Sequence, residues 1–274
     1  MQFLKNALAL YIRASLHVGL AVSALSHLFS QHFQQTAAPS FYLFVFFATV
    51  VSYNFAKFSA FQHLRSLGFH LTKKSVLLVQ FVAVIGLVIT CLQLAISQIL
   101  FAGILGLFTL LYAIPLGTNK QNWRNSAYLK IFIIAGVWAC TVVVLPLIPI
   151  INMELRRLMA YTALVFVFTL ASTLVFEIRD LNKDDVHLKT IPQLYGVMNT
   201  KILGVFLYLF VILGIGFLNE FNTAFWYASI LTSVMGILFL AFADIKQPKH
   251  YADFWVESLP IFWWLLYQLG QWYY

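Results

Sequence analysis

The feature that most constrains this sequence is its succession of long apolar runs, at residues 7–28, 41–58, 75–97, 99–116, 128–150, 157–176, 201–219, 223–243 and 254–271. A helix needs about 20 residues to cross the hydrocarbon of a bilayer, where every backbone polar group must be satisfied within its own segment. The prediction is an all-α fold: a polytopic membrane helical bundle of about nine transmembrane helices, one integral domain over 1–274. Charged residues make up 9% of the chain and apolar residues 62%. Soluble domains carry roughly 25% charge, so this chain has too little polar surface to cover itself in water. The first run keeps Arg13 and His17 and has no small-residue cleavage site behind it, so it is expected to remain as a helix. Runs three and four are separated only around Ser97 and Gln98, which implies a tight helical hairpin.

The net charge of +8 does not point to nucleic acid, because the basic residues occupy short loops between apolar runs. With alternating loops placed on one face, that face collects 15 of the 17 Lys and Arg residues, and the other holds only Arg156 and Arg157. The positive-inside rule makes the first face cytoplasmic. The expected location is an integral, multi-pass one in a bacterial inner membrane, with a cytoplasmic N-terminus and Tyr274 on the far side. Cys91 and Cys140 both lie in apolar runs and read as packing residues. His17 and His27 are nearly three helical turns apart with no acidic neighbour, and no zinc-type spacing occurs.

Acidic residues are scarce and unevenly placed. None precedes Glu154, yet four of the nine fall between Glu177 and Asp185, directly after run six. If that helix continues, Glu177, Asp180 and Asp184 stand at i, i+3 and i+7 on one face, with Asp185 about 80° away from Glu177. Three carboxylates stacked this way repel one another. A hard divalent cation relieves the repulsion and leaves sites open for phosphate. The alternative is a solvated loop whose charges pair with Arg179, Lys183 and Lys189. A charge deep in hydrocarbon costs a few kcal/mol, so in either case the cluster belongs at the membrane boundary or on a wet cavity.

These residues carry a resemblance. Glu177-Ile-Arg-Asp180-x-x-x-Asp184, followed by Lys189-Thr190-Ile191-Pro192 and Gly196, resembles the second acidic motif of UbiA-type intramembrane prenyltransferases. Tyr112-Ala113-Ile114-Pro115 is similar to that family's Tyr-x-x-Pro. The resemblance implies a bundle around a central cavity and a Mg²⁺-dependent reaction. A polyprenyl diphosphate would donate its prenyl group, as an allylic carbocation, to an aromatic or other lipophilic acceptor, with membrane lipid at the cavity's side opening. It implies Glu177, Asp180 and Asp184 as metal ligands, and Arg179, Lys183, Lys189, Lys120 and Arg124 as diphosphate contacts.

The family's first motif, Asn-Asp-x-x-Asp-x-x-x-Asp at the end of span two, is not repeated here. Asn54 matches, but Phe55, Phe58 and Gln62 stand at the three Asp positions, and Lys57 adds a positive charge among them. Two consequences follow. In the first, a single metal ion remains, and Lys57 joins Asp180 and Asp184 as a catalytic group and takes over part of the second ion's work on the diphosphate, with Asn54 beside it. In the second, the chain binds isoprenoid lipid or a partner without catalysis. Asp244, Asp253 and Glu257 are the carboxylates that a later segment offers as substitutes. A transporter would favour acidic groups within the spans, which are nearly free of them. The Asp-Gly-x-x-Ala-Arg signature of CDP-alcohol phosphotransferases does not occur.

Overall fold

The structure is a computed structural model that describes residues 2–60, 70–113, 129–149, 154–184 and 188–272. Among these residues it is helical, with no strand. The helices are α1 (Gln2–Arg13), α2 (Leu16–His32), α3 (Pro39–Ala60), α4 (His70–Cys91), α5 (Ile96–Ala113), α6 (Leu129–Ala139), α7 (Leu155–Asp180), α8 (Ile191–Ile215), α9 (Ala224–Ala241) and α10 (Leu259–Gly270). Six stretches are long and apolar enough to cross a membrane, or seven if the bent pair α1–α2 is one span. The expected count of nine is therefore not reached by this measure. In α5 the apolar stretch is the shorter Ile96–Leu111. With 12 residues, α10 rises only about 18 Å, against about 30 Å of hydrocarbon.

Local sequence explains the interruptions. The first run is broken at Ser15, whose φ of 60° is left-handed, and the two halves meet at 61°. In the fifth run, 128–150, Pro146 has no N–H to donate and crowds the preceding turn. The helix after Ala139 widens into a π turn over Cys140–Val144 and tightens over Leu145–Leu147. The α4–α5 hairpin turns over residues 92–95, slightly before the expected place. There Gln98 accepts from the Ala95 N–H at 3.2 Å and donates to the Leu145 carbonyl at 3.3 Å.

The helices close a ring: α2 packs on α3, α3 on α4 and α5, α5 on α6, and α6 to α10 each on the next or next but one, with α10 returning to α2. Polar pairs reinforce that last seam, and such bonds count in a bilayer, where apolar burial does not drive association. His17 Nε2 lies 2.9 Å from the Phe254 carbonyl, Trp264 Nε1 donates to His27 Nδ1 at 2.9 Å, and Gln268 donates to Gln31. The first-run histidines are thus interhelical ties. Small residues permit close crossings: a Cβ on Gly236 would overlap the buried Tyr208 ring, and one on Gly204 would overlap Leu240. Leu78, Phe81, Val88, Leu100, Phe206 and Phe210 project outward, each more than half exposed, as lipid-facing residues do. The chain is an integral, multi-pass membrane protein.

At the end of the bundle opposite the acidic motif sits a buried charged knot. Glu220 Oε1 accepts from Tyr161 Oη at 2.8 Å and Arg157 Nη2 at 2.9 Å, and lies 3.2 Å from His32 Nε2. Phe225 stacks on the His32 ring at 3.9 Å. The knot joins the last turn of α2 and the start of α7 to the turn between α8 and α9.

Candidate functional site

Helix α7 does continue past the apolar run, to Asp180, so Glu177 and Asp180 share a helical face. Beyond it the Asp184 N–H donates to the Asp180 carbonyl at 2.9 Å, a further turn that keeps Asp184 beside them. All three carboxylates line a half-open cavity of about 1710 Å³ within the ring of helices. Lys57, Asn54, Arg179 and Lys183 line it too, so both motif positions named from sequence face one space. Much of the rest of the wall is apolar and aromatic, with Val45, Phe44, Tyr53, Trp138, Phe168 and Phe176 among its residues, interspersed with hydroxyls such as Thr49, Thr141 and Ser172.

Each carboxylate already has a side-chain cation. Lys130, from the first turn of α6, donates to Glu177 Oε1 at 2.7 Å and to Asp184 Oδ2 at 3.4 Å. Arg179 forks onto Asp180, with Nε to Oδ1 at 3.0 Å and Nη2 to Oδ2 at 2.7 Å, and its Nη1 reaches Asp253. Lys183 closes on Asp180 Oδ1 at 3.0 Å. Bidentate contact of this kind fixes orientation as well as charge. The solvated-loop reading anticipated pairing with Arg179 and Lys183, but the pairs form on a cavity wall, with Asp180 only 19% exposed.

The residues at the first-motif position serve the break in the first helix. Asn54 is fully buried; its Nδ2 donates to the Ala14 carbonyl at 3.1 Å and to Gln80 Oε1 at 3.0 Å, and its Oδ1 has no partner. Lys57 Nζ donates to Ser15 Oγ at 2.8 Å. One turn of α3 thereby grips the Ala14–Ser15 kink while its side chains still line the cavity. Across from Lys57 lie Glu257 and Asp253, close enough to feel its charge. These carboxylates come from the π turn over Tyr251–Val256 and the residue after it. Asp244 is not among the lining residues. Tyr251 also lines the space; burial pushes its hydroxyl above the ordinary tyrosine range, and it donates to the Phe239 carbonyl at 2.7 Å.

Not every expected residue converges. Lys189 is exposed, adopts a left-handed φ of 46° and is not among the lining residues. The Lys189–Gly196 segment instead builds a helix start. The Thr190 N–H donates to Gln193 Oε1 at 2.9 Å, Pro192 sits in the first turn of α8, and Gly196, in the next turn, kinks the helix with a φ of 80°. Lys120, Arg124, Ile114, Pro115, Gln62 and Asp185 lie outside the described residues. Lys130 is the site residue that sequence reasoning passed over, because it entered only as one charge in the topology count. Its signal was a lysine just inside an apolar run rather than in the loop before it.

The family resemblance implies a magnesium ion at this end of the cavity, and the donor set does not fit one as arranged. Mg²⁺ requires near-octahedral oxygen at about 2.0–2.1 Å. Here the Lys130 ammonium stands between Glu177 and Asp184, and Arg179 holds Asp180. Among the described residues no three His, Cys, Asp or Glu side chains group closely enough to hold one ion.

No protein-family profile matches the chain, and no curated protein matches it. Solved structures do. A digeranylgeranylglyceryl phosphate synthase superposes with a TM-score of 0.57 at 16% identity, over 98% of this chain and 99% of its own. The apo structure of a UbiA homolog from Aeropyrum pernix K1 superposes with a TM-score of 0.63 at 13% identity, over 95% of this chain and 98% of its own. Two full-length matches with so little shared sequence rest on the path of the helices, and they give this chain the fold of the UbiA-type intramembrane prenyltransferases.

Proposed function

We propose that the protein transfers a polyprenyl group from a prenyl diphosphate to an aromatic or other lipophilic acceptor within the membrane. The observation that carries this reading is the make-up of the cavity wall: charged side chains from α3, α6, α7 and the residues around Asp253 share it with a mostly apolar, aromatic-rich remainder. A diphosphate suits the charged side chains and a prenyl chain the remainder. Arg179, Lys183, Lys130 and Lys57 would neutralise the leaving diphosphate as the C–O bond breaks and its electron pair departs with oxygen. The apolar wall would keep water from the allylic cation until the acceptor attacks and loses a proton. The charged side chains face the cytoplasm by the distribution of basic residues, and the whole of 1–274 forms one catalytic domain. In the family a magnesium ion supplies Lewis-acid neutralisation of diphosphate; no step here is assigned to one, given the donor set described above.

The second reading is a protein of the same fold that binds isoprenoid lipid without ionising it. The engagement of Asn54 and Lys57 with the Ala14–Ser15 kink favours it, since the first-motif position then has structural work. The test uses the full chain purified in detergent and returned to lipid nanodiscs. Geranyl, farnesyl and geranylgeranyl diphosphates are supplied with a lipid-extract acceptor, with and without Mg²⁺, and diphosphate release and ligand binding are measured. Release supports transfer; binding without release supports the second reading. Neither binding nor release with any donor in either buffer refutes both.

A further inference from the structure

We infer that this site takes up diphosphate without a resident divalent ion, Lys130 filling the post between Glu177 and Asp184 and Lys57 supplying the second cation. The inference rests on reading the cavity as a prenyl-diphosphate site and concerns how that site is neutralised.

Three observations carry it. First, the Lys130 ammonium is placed as a bridging cation: 2.7 Å from Glu177 Oε1 and 3.4 Å from Asp184 Oδ2, with its side chain only 20% exposed. A metal ion bridging those oxygens would have to displace it. Second, Lys57 adds a positive charge among the three first-motif positions, which hold Phe55, Phe58 and Gln62 and no carboxylate. Its ammonium lines the same cavity, facing Glu257 and Asp253. Third, charge balance around the cavity needs no ion. Arg13, Lys57, Lys130, Arg179, Lys183 and Lys249 set six fixed cations against five lining carboxylates, an excess that favours an incoming anion. Lysine binds phosphate as a compact point charge, and arginine as a planar fork. In a low-dielectric cavity both interactions are strengthened.

The substitution that isolates the idea is Lys130→Met, which keeps an unbranched side chain one atom shorter and removes its charge. It leaves Glu177 and Asp184 without their bridging cation, and an uncompensated carboxylate pair is a ready ligand for a hard divalent ion. The experiment measures affinity for geranylgeranyl diphosphate, by equilibrium binding to the full chain in nanodiscs, in EDTA and in Mg²⁺.

The wild-type protein is expected to bind within twofold equally in the two buffers. Lys130→Met is expected to lose tenfold or more in EDTA and to regain most of it in Mg²⁺, acquiring a metal dependence that a merely structural lysine would not confer. Lys57→Met should weaken binding several-fold in both buffers. A tenfold or greater loss of wild-type affinity on adding EDTA, reversed by Mg²⁺, overturns the inference while leaving the prenyl-diphosphate reading intact. Failure of the wild-type protein to bind in either buffer overturns both.

Discussion

The charged knot at the far end of the bundle allows a prediction to be worked from geometry. Glu220 is only 7% exposed. Burial alone would push its carboxyl up. Hydrogen bonds from His32 and Tyr161 and the charge of Arg157 outweigh that effect and hold it at about 2, against an ordinary value near 4.5. Linkage converts this difference to about 3 kcal/mol at neutral pH. Because Arg157 is 43% exposed and its share is screened by solvent, about 2–3 kcal/mol is the better figure. The sign follows from the depressed value: the contribution is complete above about pH 4.5, declines as pH falls, and is gone below about pH 2. Glu220→Gln removes the charge and keeps the shape. At neutral pH it should melt about 4–12 °C below wild type, taking 2–4 °C per kcal/mol for a chain of this size. The gap should narrow steadily as both proteins are taken to about pH 3. Intrinsic tryptophan fluorescence during heating in detergent reads both quantities. A variant melting within about 1 °C of wild type at neutral pH, or a gap that does not shrink in acid, would refute the reasoning.

Other expectations follow from single contacts. Gly236→Ala places a methyl group in the space of the buried Tyr208 ring, whose hydroxyl is 2.9 Å from Ser172 Oγ; overpacking of this kind costs about 1–3 kcal/mol and should lower the melting temperature by several degrees. Trp264→Phe removes the bond to His27 and should cost about 0.6 kcal/mol, the usual worth of such a bond between membrane helices; the difference is read as a small shift in the same melting assay. Arg179→Ala frees Asp180 and Asp253 together and is expected to lower affinity for geranylgeranyl diphosphate more than tenfold, whereas Lys189→Ala, at a residue that does not line the cavity, should change it less than twofold. Equilibrium binding in nanodiscs compares the two.

Sequence alone determined the class of this protein. Long apolar runs with hardly a charge inside them have no stable form except membrane helices, because unsatisfied backbone groups are too costly in lipid. It also located Glu177, Asp180 and Asp184, since carboxylates so rare elsewhere are conspicuous when clustered. Crossing counts were less legible. Hydropathy measures length and apolarity, and it does not register the 61° break at Ser15 or the shortness of α10. Charge partnerships were legible only where they are local. Lys183 and Asp180 are three residues apart, and helical spacing puts them together. Lys130 and Glu177 are separated by 47 residues, and Arg179 and Asp253 by 74; only the closing of the helix ring brings these pairs into contact. That closure, driven by packing between helices distant in sequence, decided what each carboxylate faces. The acidic motif, whose spacing left a metal site and a set of paired charges both open, is in the folded chain already bridged by ammonium and guanidinium groups.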